Sequence, residues 1–92
     1  MEVVNAFAIG KSRCKMDMNR DPKGDTVLPV VVHGDGAVAG QGICYEIANM
    51  EKLPGYQVGG TIHVIINNQL SFTAQIQEAR STYKIFIINR FK

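Results

Sequence analysis

The sequence predicts an α/β fold: a parallel strand–helix–strand unit preceded by a helix. Three observations predict it. Residues 27–32 and 61–66 are short, largely apolar and β-branched runs, the composition of strands buried on both faces. Between them Ile43, Ile47 and Met50 fall on one helical face, with Cys44 and Ala48 beside it. Two strands joined through a helix pair in parallel by a right-handed crossover, which brings both carboxyl ends to one edge of the sheet.

The elements follow in order. Val3, Val4, Phe7 and Ala8, then Cys14 and Met18, recur at helical spacings and predict an amphipathic helix over 2–18. Asn19-Arg20-Asp21-Pro22-Lys23-Gly24-Asp25 ends it as a surface loop rich in turn formers. The first strand, Val27 to Val32, tolerates Pro29 only near its start and delivers His33-Gly34-Asp35-Gly36 at its carboxyl end. A second helix is predicted from Ala37 to Leu53, its Gly40 and Gly42 allowing close packing of the first turns. Pro54-Gly55-Tyr56 stops it, Gly59-Gly60 makes a flexible approach, and Thr61 to Ile66 forms the second strand, which runs into Asn67-Asn68. Residues 83–92 differ in texture, a β-prone, strand-like tail that divides the chain into 1–82 and 83–92. That tail is expected either to add as a further strand or to make the chain poorly soluble.

With 92 residues, the chain holds one small domain and a modest core. Ten basic and eight acidic residues, net charge +2, exclude an electrostatic case for nucleic acid or a membrane surface, and Lys11, Arg13, Lys15 and Arg20 read as a solvated face. No apolar run approaches the length of a membrane span, and no targeting segment is evident, so a cytoplasmic or mitochondrial-matrix location is expected. Cys14 and Cys44 lack CxxC spacing and neighbouring histidines, which favours two reduced thiols.

Gly10-Lys11-Ser12 has the tail of a phosphate-binding loop, but Asn5 stands where that loop needs glycine, and the context is helical. Asp17, Asn19 and Asp21 alternate like calcium ligands, yet Pro22 replaces the turn glycine and Leu28 the bidentate glutamate, leaving a solvated turn. Gly34-Asp35-Gly36 is more promising. After a strand, its glycines let backbone N–H groups approach an anion, the following helix offers its N-terminus, and Asp35 can coordinate a metal. The Asp35 carboxylate, the Asn68 amide oxygen and a backbone carbonyl are the hard oxygen donors that Mg²⁺ prefers, with diphosphate oxygens and water completing an octahedron. The same residues also suit a plainer reading, in which Asp35 caps a helix and Asn67-Asn68 forms a turn.

From Glu2 to about Thr73 the chain resembles the thiamine-dependent decarboxylating component of 2-oxoglutarate dehydrogenase, through HGDGAVAGQG, YE, LPGY, VGGTIH and NNQxxFT. The resemblance implies a partial thiamine diphosphate-binding fold. It also implies that Asp35 and Asn68 bind Mg²⁺ through side chains and Leu70 through its carbonyl, while Gly36 and Ala37 meet the diphosphate through backbone amides. Family members often carry alanine at the position of Gly36, whereas the wider thiamine diphosphate motif has glycine. The implied reaction is oxidative decarboxylation of 2-oxoglutarate with succinyl transfer to a lipoyl carrier. The implied partners are a lipoyl-bearing succinyltransferase component and a second copy of the full-length protein.

The activating glutamate and acid–base histidines of that family fall outside the matched stretch. Glu46 and Glu78 read as surface carboxylates, and His33 and His63 as packing or hydrogen-bonding residues, so no catalytic residue is assigned. After Arg80-Ser81-Thr82 the resemblance gives way, and Glu2 matches an interior stretch of the family. The expectation is therefore a fragment carrying the metal–diphosphate half-site and inactive alone. The alternatives are complementation by a separately encoded remainder and a non-catalytic protein-interaction module.

Overall fold

A computed structural model describes residues 2–38 and 40–79; the expected tail over 83–92 lies outside them. Helix α1 spans Val3–Met18, strand β1 Val30–Gly34, helix α2 Ile43–Asn49, strand β2 Ile62–Ile66, and a single helical turn, α3, Ile76–Ala79. Strands β1 and β2 pair in parallel, Val30 opposite Ile62 through Gly34 opposite Ile66. The predicted strand–helix–strand unit with a preceding helix is what forms.

Three details depart from expectation. β1 begins at Val30, because Pro29 has no N–H to give the ladder; its carbonyl instead accepts the N–H of Ile62 at 2.9 Å. The crossover helix is also much shorter than Ala37 to Leu53. Residues 35–38 are turn, Gly40–Gly42 make one tight turn, and Gln41 (φ +54°) and Gly42 (φ +100°) are left-handed, so α-helix starts only at Ile43. Gly42 is the residue type that tolerates that conformation.

The third departure concerns burial. α1 does form, but Val3, Val4, Phe7 and Met18 remain exposed; the buried side chains are Asn5, Ile9 and Met16. Apolar residues occur around most of the helix, so spacing alone did not say which stripe would face the sheet. Likewise the strands are not buried on both faces. Val31, His33, His63 and Ile65 lie on the more covered face, whereas Val30, Val32, Ile62, Val64 and Ile66 share an open one. A continuous apolar run reports that both faces are built to be covered, and one is open here.

Among the described residues, the buried apolar side chains are Ile9, Met16 and Ile47, each contributing about 1.5–3 kcal/mol on full burial. α1 rests on α2, and Met16 lies against the loops at Gly24 and Gly59. The loop after α1 closes on Asp21, whose carboxylate accepts from the N–H of Gly24 (2.9 Å), the N–H of Thr26 (2.7 Å) and the Thr26 hydroxyl (2.7 Å). Asp17 pairs with Arg13 at 3.0 Å. Both carboxylates therefore serve a surface turn and its helix, as the rejected calcium reading required.

Candidate functional site

The parallel register sets the geometry of the site. Gly34 and Ile66 are level, so the loops that follow them leave the sheet from the same edge, and the Asp35 N–H donates to the Ile66 carbonyl at 3.2 Å. Open α/β sheets bind ligands outside this carboxyl edge. Asp35 is 5% exposed, and buried carboxylates persist where partners or a cation compensate their desolvation.

On the second loop, the Asn67 amide oxygen accepts from the Gln69 N–H (2.9 Å) and that of Asn68 from the Leu70 N–H (3.1 Å). The turn reading of Asn67-Asn68 is thus correct, and it is compatible with ligation: a carbonyl oxygen has two lone pairs, so Asn68 can accept one N–H and still offer a donor.

Gly36 binds the two loops together. A Cβ placed on it would lie 2.4 Å from the Ser71 hydroxyl oxygen and 2.9 Å from the Ser71 Cα, so only glycine permits this approach. The Ala37 N–H donates to the Gly34 carbonyl at 3.2 Å, closing the turn around Asp35 and Gly36. Because α2 begins only at Ile43 and is a mere seven residues long, no helix N-terminus follows directly on the Gly-Asp-Gly turn, contrary to expectation. Oxygen donors on adjacent loops and a backbone cradle that a methyl would fill are features that suit a magnesium–diphosphate group. The cavity beside His63, about 30 Å³ between Ile9, Ile47, Val58 and His63, is far too small for such a ligand.

Below the edge, on the covered face, lies a polar cluster that local spacing did not reveal. His33, 2% exposed, contacts the Glu2 carboxylate through Nδ1 and His63 Nδ1 through Nε2, the latter at 2.7 Å. The two rings have centroids 5.0 Å apart and planes 16° apart. A neutral imidazole satisfies this line in one tautomer, in which His33 Nδ1–H donates to the Glu2 carboxylate and Nε2 accepts from His63 Nδ1–H. Burial, then the neighbouring His33, push the His63 pKa down. Both histidines therefore have the hydrogen-bonding role expected of them. Glu46 is exposed, and Glu78 accepts the N–H of Gln75 at 3.0 Å at the start of α3, as befits surface carboxylates.

Asn5 and Cys44 adjoin this cluster, with Asn5 Nδ2 4.0 Å from Cys44 Sγ. The Asn5 amide oxygen is buried without a hydrogen-bond partner among the described residues. Glu2, Asn5, Cys44 and Ser71 are the site residues that sequence reasoning missed. Their partners lie more than thirty positions away, so only the folded register brings them together. One signal was available: His33 and His63, counted back from the level strand ends Gly34 and Ile66, have the same parity and so share a face. Both cysteines are free thiols, Cys14 exposed and Cys44 half-buried.

The described residues thus form a parallel α/β unit with an acid and an amide on the loops at its carboxyl edge. The chain belongs to the dehydrogenase E1 component family, whose model matches residues 6–88. It is 41% identical over 83 residues to the oxoglutarate dehydrogenase of Buchnera aphidicola, covering 89% of this chain and 9% of that protein. It is 45% identical over 84 residues to the 2-oxoglutarate dehydrogenase E1/E2 component of Corynebacterium glutamicum, covering 90% and 7%. With the 2-oxoglutarate dehydrogenase E1 component of Rickettsia typhi it shares 43% over 82 residues, covering 89% and 9%. The chain thus corresponds to a short region, under a tenth of the length, of these relatives. No helix among the described residues is long and apolar enough to cross a membrane.

Proposed function

We propose that this chain supplies the metal–diphosphate half of a thiamine diphosphate site in a 2-oxoglutarate dehydrogenase E1 component. The observation that carries the reading is the buried Asp35 at the edge where β1 and β2 both end, with the Asn68 amide oxygen on the neighbouring loop. Membership of the E1 family supports thiamine diphosphate as the cofactor. Asp35 and Asn68 would hold Mg²⁺ through their side chains and Leu70 through its carbonyl, with Gly36 and Ala37 directing backbone N–H groups at the diphosphate. For Ala37 this means sharing or exchanging the bond to the Gly34 carbonyl. When bound, thiamine diphosphate supplies the nucleophilic carbon that attacks a 2-oxo acid. The residues of this chain bind and orient it; none is assigned to bond making. The reading takes 2-oxoglutarate as substrate, which the relatives' names support, and includes transfer of the succinyl group to a lipoyl carrier, a succinyltransferase partner and a second copy of the full-length protein. A cytoplasmic or mitochondrial-matrix setting accords with the bacterial and mitochondrial relatives.

One observation favours a second reading, a protein-interaction module: the open apolar face of β1 and β2. Calorimetric titration with thiamine diphosphate separates the two. The half-site reading predicts weak, Mg²⁺-dependent heat that Asp35→Ala and Asn68→Ala each abolish. Absence of heat, or heat indifferent to both substitutions, contradicts it.

A further inference from the structure

The cluster beneath the sheet edge has a donor set different in kind from that of the Asp35 loop. A carboxylate oxygen of Glu2, a ring nitrogen of His33 and Cys44 Sγ all lie within 4.8 Å of one another. They come from three separate places, the residue before α1, the end of β1 and the first turn of α2. The His33 side chain is fully buried and that of Glu2 is 11% exposed, while Cys44 is half-buried. A second observation points into the same space. Asn5 is 1% exposed, its amide nitrogen faces Cys44 Sγ at 4.0 Å, and its amide oxygen has no hydrogen-bond partner among the described residues. Turning the carboxamide over exchanges nitrogen for oxygen and aims that oxygen at the cluster.

We infer that Glu2, His33 and Cys44, with the Asn5 amide oxygen as fourth donor, form a binding site for a borderline-soft divalent cation of the Zn²⁺ class. One nitrogen, one sulfur and two oxygens suit tetrahedral Zn²⁺ and not the all-oxygen octahedron of Mg²⁺. Metal–ligand bonds of about 2.0–2.3 Å set neighbouring donors roughly 3.3–3.7 Å apart in a tetrahedron, so the observed group needs adjustments on the order of 1 Å. The ion enters between Glu2 and His33 Nδ1, replacing their hydrogen bond with two coordinate bonds. His33 then carries its proton on Nε2 and donates it to His63 Nδ1, the outer hydrogen bond that ligating histidines need to fix ring and tautomer. The Cys44 thiol loses its proton to solvent as the metal–sulfur bond forms, with no change of oxidation state.

The fold has a use for such an ion. Its buried apolar side chains, as described, are only Ile9, Met16 and Ile47, and a structural metal joining the start of α1, β1 and α2 reinforces a core of that size. This inference stands apart from the thiamine diphosphate reading, since it uses none of that site's residues.

The test is Co²⁺ titration of the chelator-stripped full chain, followed by absorbance without thiamine diphosphate. One equivalent should produce visible tetrahedral bands and a near-ultraviolet thiolate-to-cobalt band, both abolished by Zn²⁺ and untouched by excess Mg²⁺. Cys44→Ser should remove the thiolate band, Cys14→Ser should preserve it, and Glu2→Gln should weaken affinity about 10-fold or more while retaining the band. Circular dichroism of each variant confirms folding, and Glu2→Gln, which keeps a hydrogen bond to His33, serves if Cys44→Ser does not fold. A wild-type chain without the thiolate band overturns the inference. So does a band that survives Cys44→Ser, one lost in Cys14→Ser, or full affinity in Glu2→Gln.

Discussion

Asp21 closes the loop after α1 by accepting from Thr26 and Gly24, and the bonds from Thr26 above all lower its pKa from 3.8 to about 2. A carboxyl that binds its proton less readily when folded stabilises the fold above its unfolded pKa and loses that contribution as pH falls. Thermal melts should therefore show stability declining from about pH 4 towards pH 2, and Asp21→Asn should flatten that part of the profile. An unaltered profile in the variant would assign the acid sensitivity elsewhere. Gly36 makes a different kind of single-residue demand. The alanine that the family resemblance allows there would drive a methyl into Ser71, an overpacking cost of about 1–3 kcal/mol. Denaturant unfolding should show that loss in Gly36→Ala and its partial recovery when Ser71→Gly is added, since the Ser71 Cα remains close. Equal stability of Gly36→Ala and wild type would mean the two loops are not pressed together.

At the scale of elements, β1 and β2 leave an open face on which Val30, Val32, Ile62, Val64 and Ile66 are each 42–62% exposed. Contiguous apolar surface of this kind drives association. Sedimentation should show concentration-dependent association weakened by Val64→Lys; association at wild-type strength in that variant would place the contact elsewhere. These elements also show how far the sequence was legible. The two β-branched runs and their parallel pairing could be read because composition and the crossover rule act locally. The working stripe of α1 could not, because Asn5 is buried for a polar cluster assembled by residues far along the chain. Gly40 and Gly42 are visible in the sequence, but the left-handed Gln41 and Gly42 delay α2 to Ile43, an outcome that residue type alone does not announce.

For the whole molecule, the candidate site was legible in its parts and only partly in its arrangement. Asp35 and Asn68 were placed on one edge from the topology alone, and the register of Gly34 with Ile66 agrees. Ser71 under Gly36 and the Glu2–His33–His63 line depend on tertiary packing, for which one sequence carries no local sign. The molecule thus has a hard-oxygen loop pair at its sheet edge and a mixed-donor cluster beneath it, and it matches under a tenth of the length of its relatives. That loop pair is proposed as a diphosphate half-site. Its most direct test is the ¹H–¹⁵N spectrum of the full chain titrated with thiamine diphosphate and Mg²⁺. The amides of Asp35, Gly36, Ala37, Asn68 and Leu70 should shift together, and only when both ligands are present. Shifts confined to the open sheet face, or none at concentrations that saturate a weak site, would contradict it.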